Sequence, residues 1–194
     1  GGAKTHFDVS VLRHKVEGMS AVIGKEHDPV KKLNFKAHLS SEIAPKIHIG
    51  ALAQRSFFET GYDDTFPVLA DADNHFMSRF QTLGIRPEWH HNKGSLAASL
   101  SWTKAQREFE SSFPSQNEAK TRTMELAYTT EFAKYFQALI GLHHQRQEVV
   151  GLSRIDFFDP FVNLLYEGDG AFQAQIGARW NDHSLYGSQW TYHI

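Results

Sequence analysis

Apolar and polar residues alternate along most of this chain with a period of two. From Leu33 to Ser40 the odd positions are mainly apolar and the even positions are polar. The same alternation runs through Ile47–Gln54, Leu96–Thr103, Phe136–His143 and Phe172–Trp180. Successive side chains of a β-strand point to opposite faces, so this period predicts strands with one apolar and one polar face. About ten such segments fit along the chain, which predicts an all-β fold.

The connections between these segments are alternately short and long. The short breaks are Ser41–Lys46, His91–Gly94, Glu131–Tyr135 and Glu167–Ala171. The long polar loops are Val22–Lys32, Phe57–His75, Phe109–Lys120 and Glu148–Asp159. Short turns at one rim and long loops at the other are typical of outer-membrane barrels. The layout predicts an antiparallel, up-and-down transmembrane β-barrel of about ten strands, each paired with its neighbour in sequence.

Two other structures fit parts of the pattern. A soluble antiparallel β-barrel or sandwich that binds a small ligand or a protein partner also alternates apolar and polar positions. Residues 118–141 are rich in helix-forming residues, but Met124, Leu126 and Tyr128 follow a spacing of two, whereas a helix requires spacings of three and four. The length of Gly94–Phe109 and the aromatic residues around the turn at Glu131–Tyr135 favour the membrane barrel.

In such a barrel, the mid-strand residues of the apolar face contact lipid. The residues predicted to do so are Phe35, Ile49, Leu100, Ile140 and Ile176. The opposite positions carry Gln, His, Arg and Lys, as a water-filled lumen would. The partner that this pattern predicts is therefore the lipid of the bacterial outer membrane.

Composition narrows the class of protein. The 194 residues suffice for one domain, and we treat residues 1–194 as a single barrel domain or barrel segment. The net charge of −2 argues against general binding of nucleic acid. Aromatic residues make up 13% of the chain, and membrane interfaces are rich in Trp and Tyr. The absence of Cys excludes disulfides and thiolate metal sites within this sequence.

The last strands resemble those of TonB-dependent outer-membrane receptors. Mid-barrel strands of that family often read Gly-x-Arg-x-Asp-(Asp/Asn)-x-Ser-x-(Phe/Tyr)-Gly. Here the pattern is carried by Gly177, Arg179, Asn181, Asp182, Ser184, Tyr186 and Gly187, with Asn181 where the family often has Asp. Three further stretches resemble other strands of the family, in the family's order: Thr5–Val11, Lys15–Gly18 and Gly141–Glu148. The vitamin B12 transporters match best in order and spacing, followed by the iron-siderophore receptors.

The resemblance implies a 22-stranded barrel filled by a plug, which imports cobalamin or a siderophore using energy relayed by TonB. No plug domain is recognisable in this chain, and we expect that it does not drive TonB-coupled import by itself. The resemblance also implies transport rather than enzymatic activity. The sequence agrees, since it lacks a Gly-x-Ser-x-Gly elbow, a His-Glu-x-x-His motif and a phosphate-binding Gly loop.

Two sets of residues are candidates for metal binding. Adjacent His residues, as in His90–His91 and His143–His144, point to opposite faces of a strand and cannot chelate one ion together. An acidic segment, Tyr62–Asn74, is a better candidate, because Ca²⁺ prefers several oxygen ligands from a flexible loop. Its carboxylates are Asp63, Asp64, Asp71 and Asp73. Extracellular loops of the vitamin B12 transporters carry calcium-binding aspartates, so the resemblance also implies calcium here; no other cofactor is expected.

Overall fold

A computed structural model describes residues 4–18, 27–64, 70–169 and 172–194 of the chain. Within these ranges the structure contains ten strands. They are β1 (Thr5–Val16), β2 (Val30–Ala44), β3 (Ile47–Asp64), β4 (Ala70–His91), β5 (Gly94–Glu110), β6 (Ser115–Ala133), β7 (Phe136–Val149), β8 (Ile155–Glu167), β9 (Gln173–His183) and β10 (Gly187–His193). No helix in the described ranges is long and apolar enough to cross a membrane.

All ten strands belong to one antiparallel sheet in which each strand pairs with its neighbour in sequence. The predicted all-β, up-and-down topology is confirmed. The helical alternative for residues 118–141 is wrong, because β6 and β7 occupy that stretch and pair with each other from Ala119–Val149 to Ala133–Phe136. The sheet is open: among the described strands, β1 and β10 are its two edges and do not pair with one another.

The strands are longer and the loops shorter than the sequence pattern predicted. β3 and β4 extend to Asp64 and from Ala70, so most of the predicted loop Phe57–His75 is strand. Likewise, the predicted loops Phe109–Lys120 and Glu148–Asp159 are reduced to residues 111–114 and 150–154. β2 begins at Val30, inside the predicted loop Val22–Lys32. The polar stretches next to the long loops were wrongly predicted to be loops. Backbone pairing continues through these stretches, because neither face of the sheet needs to be apolar there.

The sheet is a single layer with almost no core. Each described strand contacts only the strands next to it in sequence. Ala138 is the only buried hydrophobic residue in the described part of the chain, and no side chain there is fully buried. A β-sandwich would place a second sheet against the apolar face. The described strands therefore do not form the sandwich that the alternation also allowed.

Candidate functional site

One face of the sheet is apolar over most of its width. Directly paired residues of antiparallel strands point to the same side, so the register assigns each residue to a face. The apolar face carries Val9, Phe35, Leu39, Ile49, Ala51, Leu83, Ile85, Leu96, Leu100, Trp102, Met124, Leu126, Ile140, Leu142, Val162, Leu164, Ile176, Trp180 and Trp190. The five residues predicted to contact lipid all lie on this face. Leu100, Ile140 and Ile176 are each 51–52% exposed.

The apolar residues form a belt whose edge crosses the strands obliquely. One row of paired residues serves as a reference: Leu39, Ala51, Ile85, Leu100, Met124, His144, Phe158 and Asp182. In β2 the apolar positions reach Leu33, six residues from Leu39 on the long-loop side. In β9 they stop at Trp180, two residues short of Asp182 on the other side. The edge of the belt thus lies closer to the short turns in β9 than in β2.

The short turns move in the same direction. Leu39 lies five residues before the end of β2 at Ala44, whereas Asp182 lies nine residues after the start of β9 at Gln173. From β2 to β9 the long-loop edge of the apolar belt moves by eight residues and the short turns move by four. The mean of the two shifts is a little under one residue per strand. With about 3.3 Å per residue and about 4.8 Å between strands, this corresponds to a strand tilt of roughly 30°. Strands of transmembrane barrels tilt by about 35–45°, so a level belt on tilted strands explains the slope.

Aromatic side chains line both edges of the apolar belt. All four Trp residues of the chain, Trp89, Trp102, Trp180 and Trp190, lie on the apolar face. At the short-turn edge, the ring centroids of Phe136 and Tyr166 are 5.0 Å apart. At the opposite edge, those of Trp180 and Trp190 are 5.1 Å apart. Amphipathic aromatic rings at both edges of an apolar belt are typical of membrane interfaces.

The other face is polar and carries an ion-pair network on β7, β8 and β9, centred on the buried Asp159. Asp159 is 6% exposed. Its Oδ2 accepts a hydrogen bond from Nη2 of Arg179 at 2.6 Å and lies 3.2 Å from Nδ1 of His143. Glu125, Asn163 and Thr191 line the cavity beside this network. The polar side chains allow this face to contact water or a polar ligand.

Sequence reasoning singled out Arg179 through the family motif but missed its partner. Asp159 was assigned to the end of a loop, whereas the structure places it inside β8, directly opposite His143. Asp159 and Asn163 fall on one face of an extended chain, while Phe158, Val162 and Leu164 fall on the other, and this alternation could have identified the strand. However, Pro160 resembles a loop signal.

The four aspartates proposed for calcium binding lie at the ends of β3 and β4, not in an extended loop. Ala72 N–H donates to Oδ1 of Asp63 at 3.3 Å, and the Asn74 amide donates to Oδ1 of Asp64 at 2.8 Å. Asp73 is 3.0 Å from Nε2 of His75. Asp71 lies in β4, and its side chain is outside the described residues. No group of three or more His, Asp or Glu in the described ranges is arranged to hold a metal ion.

Calcium binding by these aspartates stays a prediction. A hard divalent ion would reduce the repulsion between neighbouring carboxylates, with oxygen ligands at about 2.3–2.6 Å. We expect calcium to slow proteolysis between β3 and β4, and the double substitution Asp71→Ala with Asp73→Ala to remove that protection. Calorimetry that detects no calcium binding at millimolar concentrations would contradict the prediction.

Other groupings of reactive residues have structural partners. His90 and His91 lie on opposite faces, as do His143 and His144, in agreement with the prediction for adjacent His. Ser184 Oγ accepts a hydrogen bond from the Asp156 amide at 3.0 Å, which ties the β9–β10 turn to β8. This hydroxyl is engaged with the backbone.

Solved structures with a similar fold include bacterial siderophore receptors. Two variants of the ferric enterobactin receptor of Pseudomonas aeruginosa match with TM-scores of 0.78 and 0.79 at 14% and 13% identity. A siderophore receptor of Acinetobacter baumannii matches with a TM-score of 0.78 at 10% identity. The matches cover 96% of this chain but only 35 or 36% of the receptors. No protein-family model and no curated protein matches the chain. The fold of the ten strands is that of about a third of a receptor chain, within its barrel.

Proposed function

We propose that this chain forms part of the barrel wall of a TonB-dependent siderophore receptor in the bacterial outer membrane. The observation that carries the proposal is the oblique apolar belt, exposed on a single-layered sheet and edged by aromatic rings. A soluble protein would have to cover these side chains, because burying apolar surface is the main driving force for folding. A membrane barrel instead presents them to lipid.

The structural neighbours support a siderophore as the ligand class. The matching solved structures named above are a ferric enterobactin receptor and a siderophore receptor, which favours a siderophore over the cobalamin that the sequence motifs favoured. Transport in such a receptor would use the polar face as part of the lumen, with energy relayed by TonB. The chain itself would contribute a wall and ligand contacts, without catalysing a reaction.

Insertion into lipid tests the proposal directly, because all four Trp residues lie on the apolar face. The chain is refolded into phosphatidylcholine vesicles whose acyl chains carry bromine, which quenches tryptophan fluorescence on contact. We expect strong quenching by brominated lipid and weak quenching by aqueous iodide. A chain that remains soluble and β-structured without detergent, with emission unaffected by the vesicles, would instead be a soluble β protein.

Ligand class is tested separately by calorimetric titration of the vesicle-embedded chain with ferric enterobactin and with cyanocobalamin. Heat of binding for the first and none for the second is expected. The reverse result would return the proposal to the vitamin B12 transporters while leaving the membrane assignment intact.

A further inference from the structure

A row of basic side chains follows the long-loop edge of the apolar belt. It occupies the first two outward-facing strand positions after the uninterrupted apolar stretch in the middle of β1 and of β3–β7, and the first such position on β2. The basic residues at these positions, which we call the basic belt, are Arg13, Lys15, Lys31, Arg55, Arg79, Lys104, Lys120, Arg122 and Arg146. The remaining positions hold Phe57, Gln81, Gln106 and His144, so none of them carries a carboxylate.

The pairing register brings these cations together. Lys104 lies directly opposite Lys120, and Arg122 lies directly opposite Arg146. Like charges at directly opposed positions destabilise a sheet, so this arrangement requires compensating anions. A chain with a net charge of −2 has nevertheless concentrated its cations along one line.

Carboxylates of the protein compensate only part of the belt. Glu118 Oε2 is 3.0 Å from Nζ of Lys104, and its Oε1 is 3.0 Å from Nζ of Lys120. Arg146 pairs with Asp156 at 2.7 Å, and Lys31 pairs with Glu59 on the neighbouring strand at 2.6 Å.

Three arginines of the belt lack such a partner. Arg55, Arg79 and Arg122 are exposed, and none of them forms an ion pair with another described residue. Guanidinium groups bind phosphate oxygens through paired hydrogen bonds in a fixed geometry. Arg79 donates a long hydrogen bond to the sulfur of Met77 at 4.0 Å, which leaves other N–H donors of its guanidinium available. The three arginines can therefore hold a phosphate-bearing anion outside the protein.

We propose that the basic belt binds the phosphate groups of anionic lipid headgroups in the adjoining membrane leaflet. This inference rests on the proposed function, since it takes the apolar belt to lie in hydrocarbon. Residues immediately beyond that belt then lie at the depth of the headgroups, where each Lys or Arg attracts anionic lipid. The basic belt follows the oblique edge of the apolar belt. A site for a soluble anion would not need to follow that edge.

The local shape at β1–β3 fits a lipid. An open cleft there is lined by Arg13, Lys15 and Lys31 together with the apolar side chains of Leu33 and Phe57. Lys31 is paired with Glu59, whereas Arg13 and Lys15 form no ion pair with a described residue. A lipid offers both groups that such a cleft would contact, a phosphate for Arg13 and Lys15 and an acyl chain for the apolar wall. Free phosphate would use only the first.

The test counts lipids bound to the detergent-solubilised chain by native mass spectrometry, with phosphatidylglycerol and zwitterionic phosphatidylcholine as probes. We expect the chain to prefer phosphatidylglycerol. The triple substitution Arg55→Gln, Arg79→Gln and Arg122→Gln should weaken phosphatidylglycerol binding on the order of a hundredfold, at roughly fivefold per charge. Binding of phosphatidylcholine should stay unchanged.

A matched control removes the same charge from the other face by Lys32→Gln, Arg86→Gln and Arg107→Gln, and should leave lipid selectivity unchanged. High salt should reduce the selectivity of the unsubstituted chain, a measurement that does not depend on the variants folding. Unaltered selectivity in the belt variant or at high salt, or equal loss in the control, would overturn the proposal. Failure to enter brominated vesicles would instead refute the membrane assignment, so the two failures are distinguishable.

Discussion

Replacing Ile140 by Arg is expected to destabilise the folded chain in lipid by about 2–4 kcal/mol, the cost of an Arg near the bilayer midplane on the lipid face of a barrel. Ile140 lies in the middle of the apolar stretch of β7, directly opposite Tyr128 and Val162. Its side chain is 52% exposed on the apolar face, so in a membrane an Arg there would project into hydrocarbon instead of water. The free energy of unfolding, measured by urea titration in phosphatidylcholine vesicles, would report the change.

The preceding residue supplies the control. Leu139 lies at nearly the same depth on the polar face, directly opposite Thr129 and Asn163. Leu139→Arg makes the same aliphatic-to-cation change but places the charge in the lumen, and we expect it to cost much less. Equal destabilisation by both variants, or none by Ile140→Arg, would show that the apolar face does not contact lipid.

Replacing Asp159 by Ala is expected to lower the free energy of unfolding by about 1.5–3 kcal/mol, the usual contribution of a hydrogen bond to a charged group. The substitution removes the acceptor of the Arg179 hydrogen bond and leaves His143 without its carboxylate partner. Asp159 is buried, but Arg179 is partly exposed. Once its partner is removed, Arg179 regains part of its hydration, and this limits the loss of stability. The same urea titration measures the effect.

Asp182 is a suitable control for the substitution at Asp159. It lies on the neighbouring strand, but it is exposed on the opposite face and forms no ion pair with a described residue. Asp182→Ala should change stability by no more than about 0.5 kcal/mol. Asp159→Asn should fall between the two, because the amide oxygen still accepts a hydrogen bond without the charge. A cost for Asp182→Ala as large as that for Asp159→Ala would contradict a specific role of the network around Asp159.

The period of two in the sequence was sufficient to determine the class of fold and the two faces. It placed Phe35, Leu100 and Ile176 on one face, because alternation along a strand is a property of the backbone and needs no knowledge of the neighbouring strands. The tight turns also fixed the order of pairing, since a two-residue connection forces adjacent strands to pair antiparallel. The limits of the strands were less certain, because polar residues continue past the belt into strands such as β3 and β4.

What the sequence could not provide is the register between strands. A shift of one residue moves every side chain of a strand to the other face, and a shift of two changes each cross-strand partner. Only the folded sheet therefore showed that Asp159 meets His143 and Arg179, residues 16 and 20 positions away in sequence. The same register aligns cations from seven strands along one line that is oblique to the strands. Because the strands are tilted, this line lies at one level along the barrel axis.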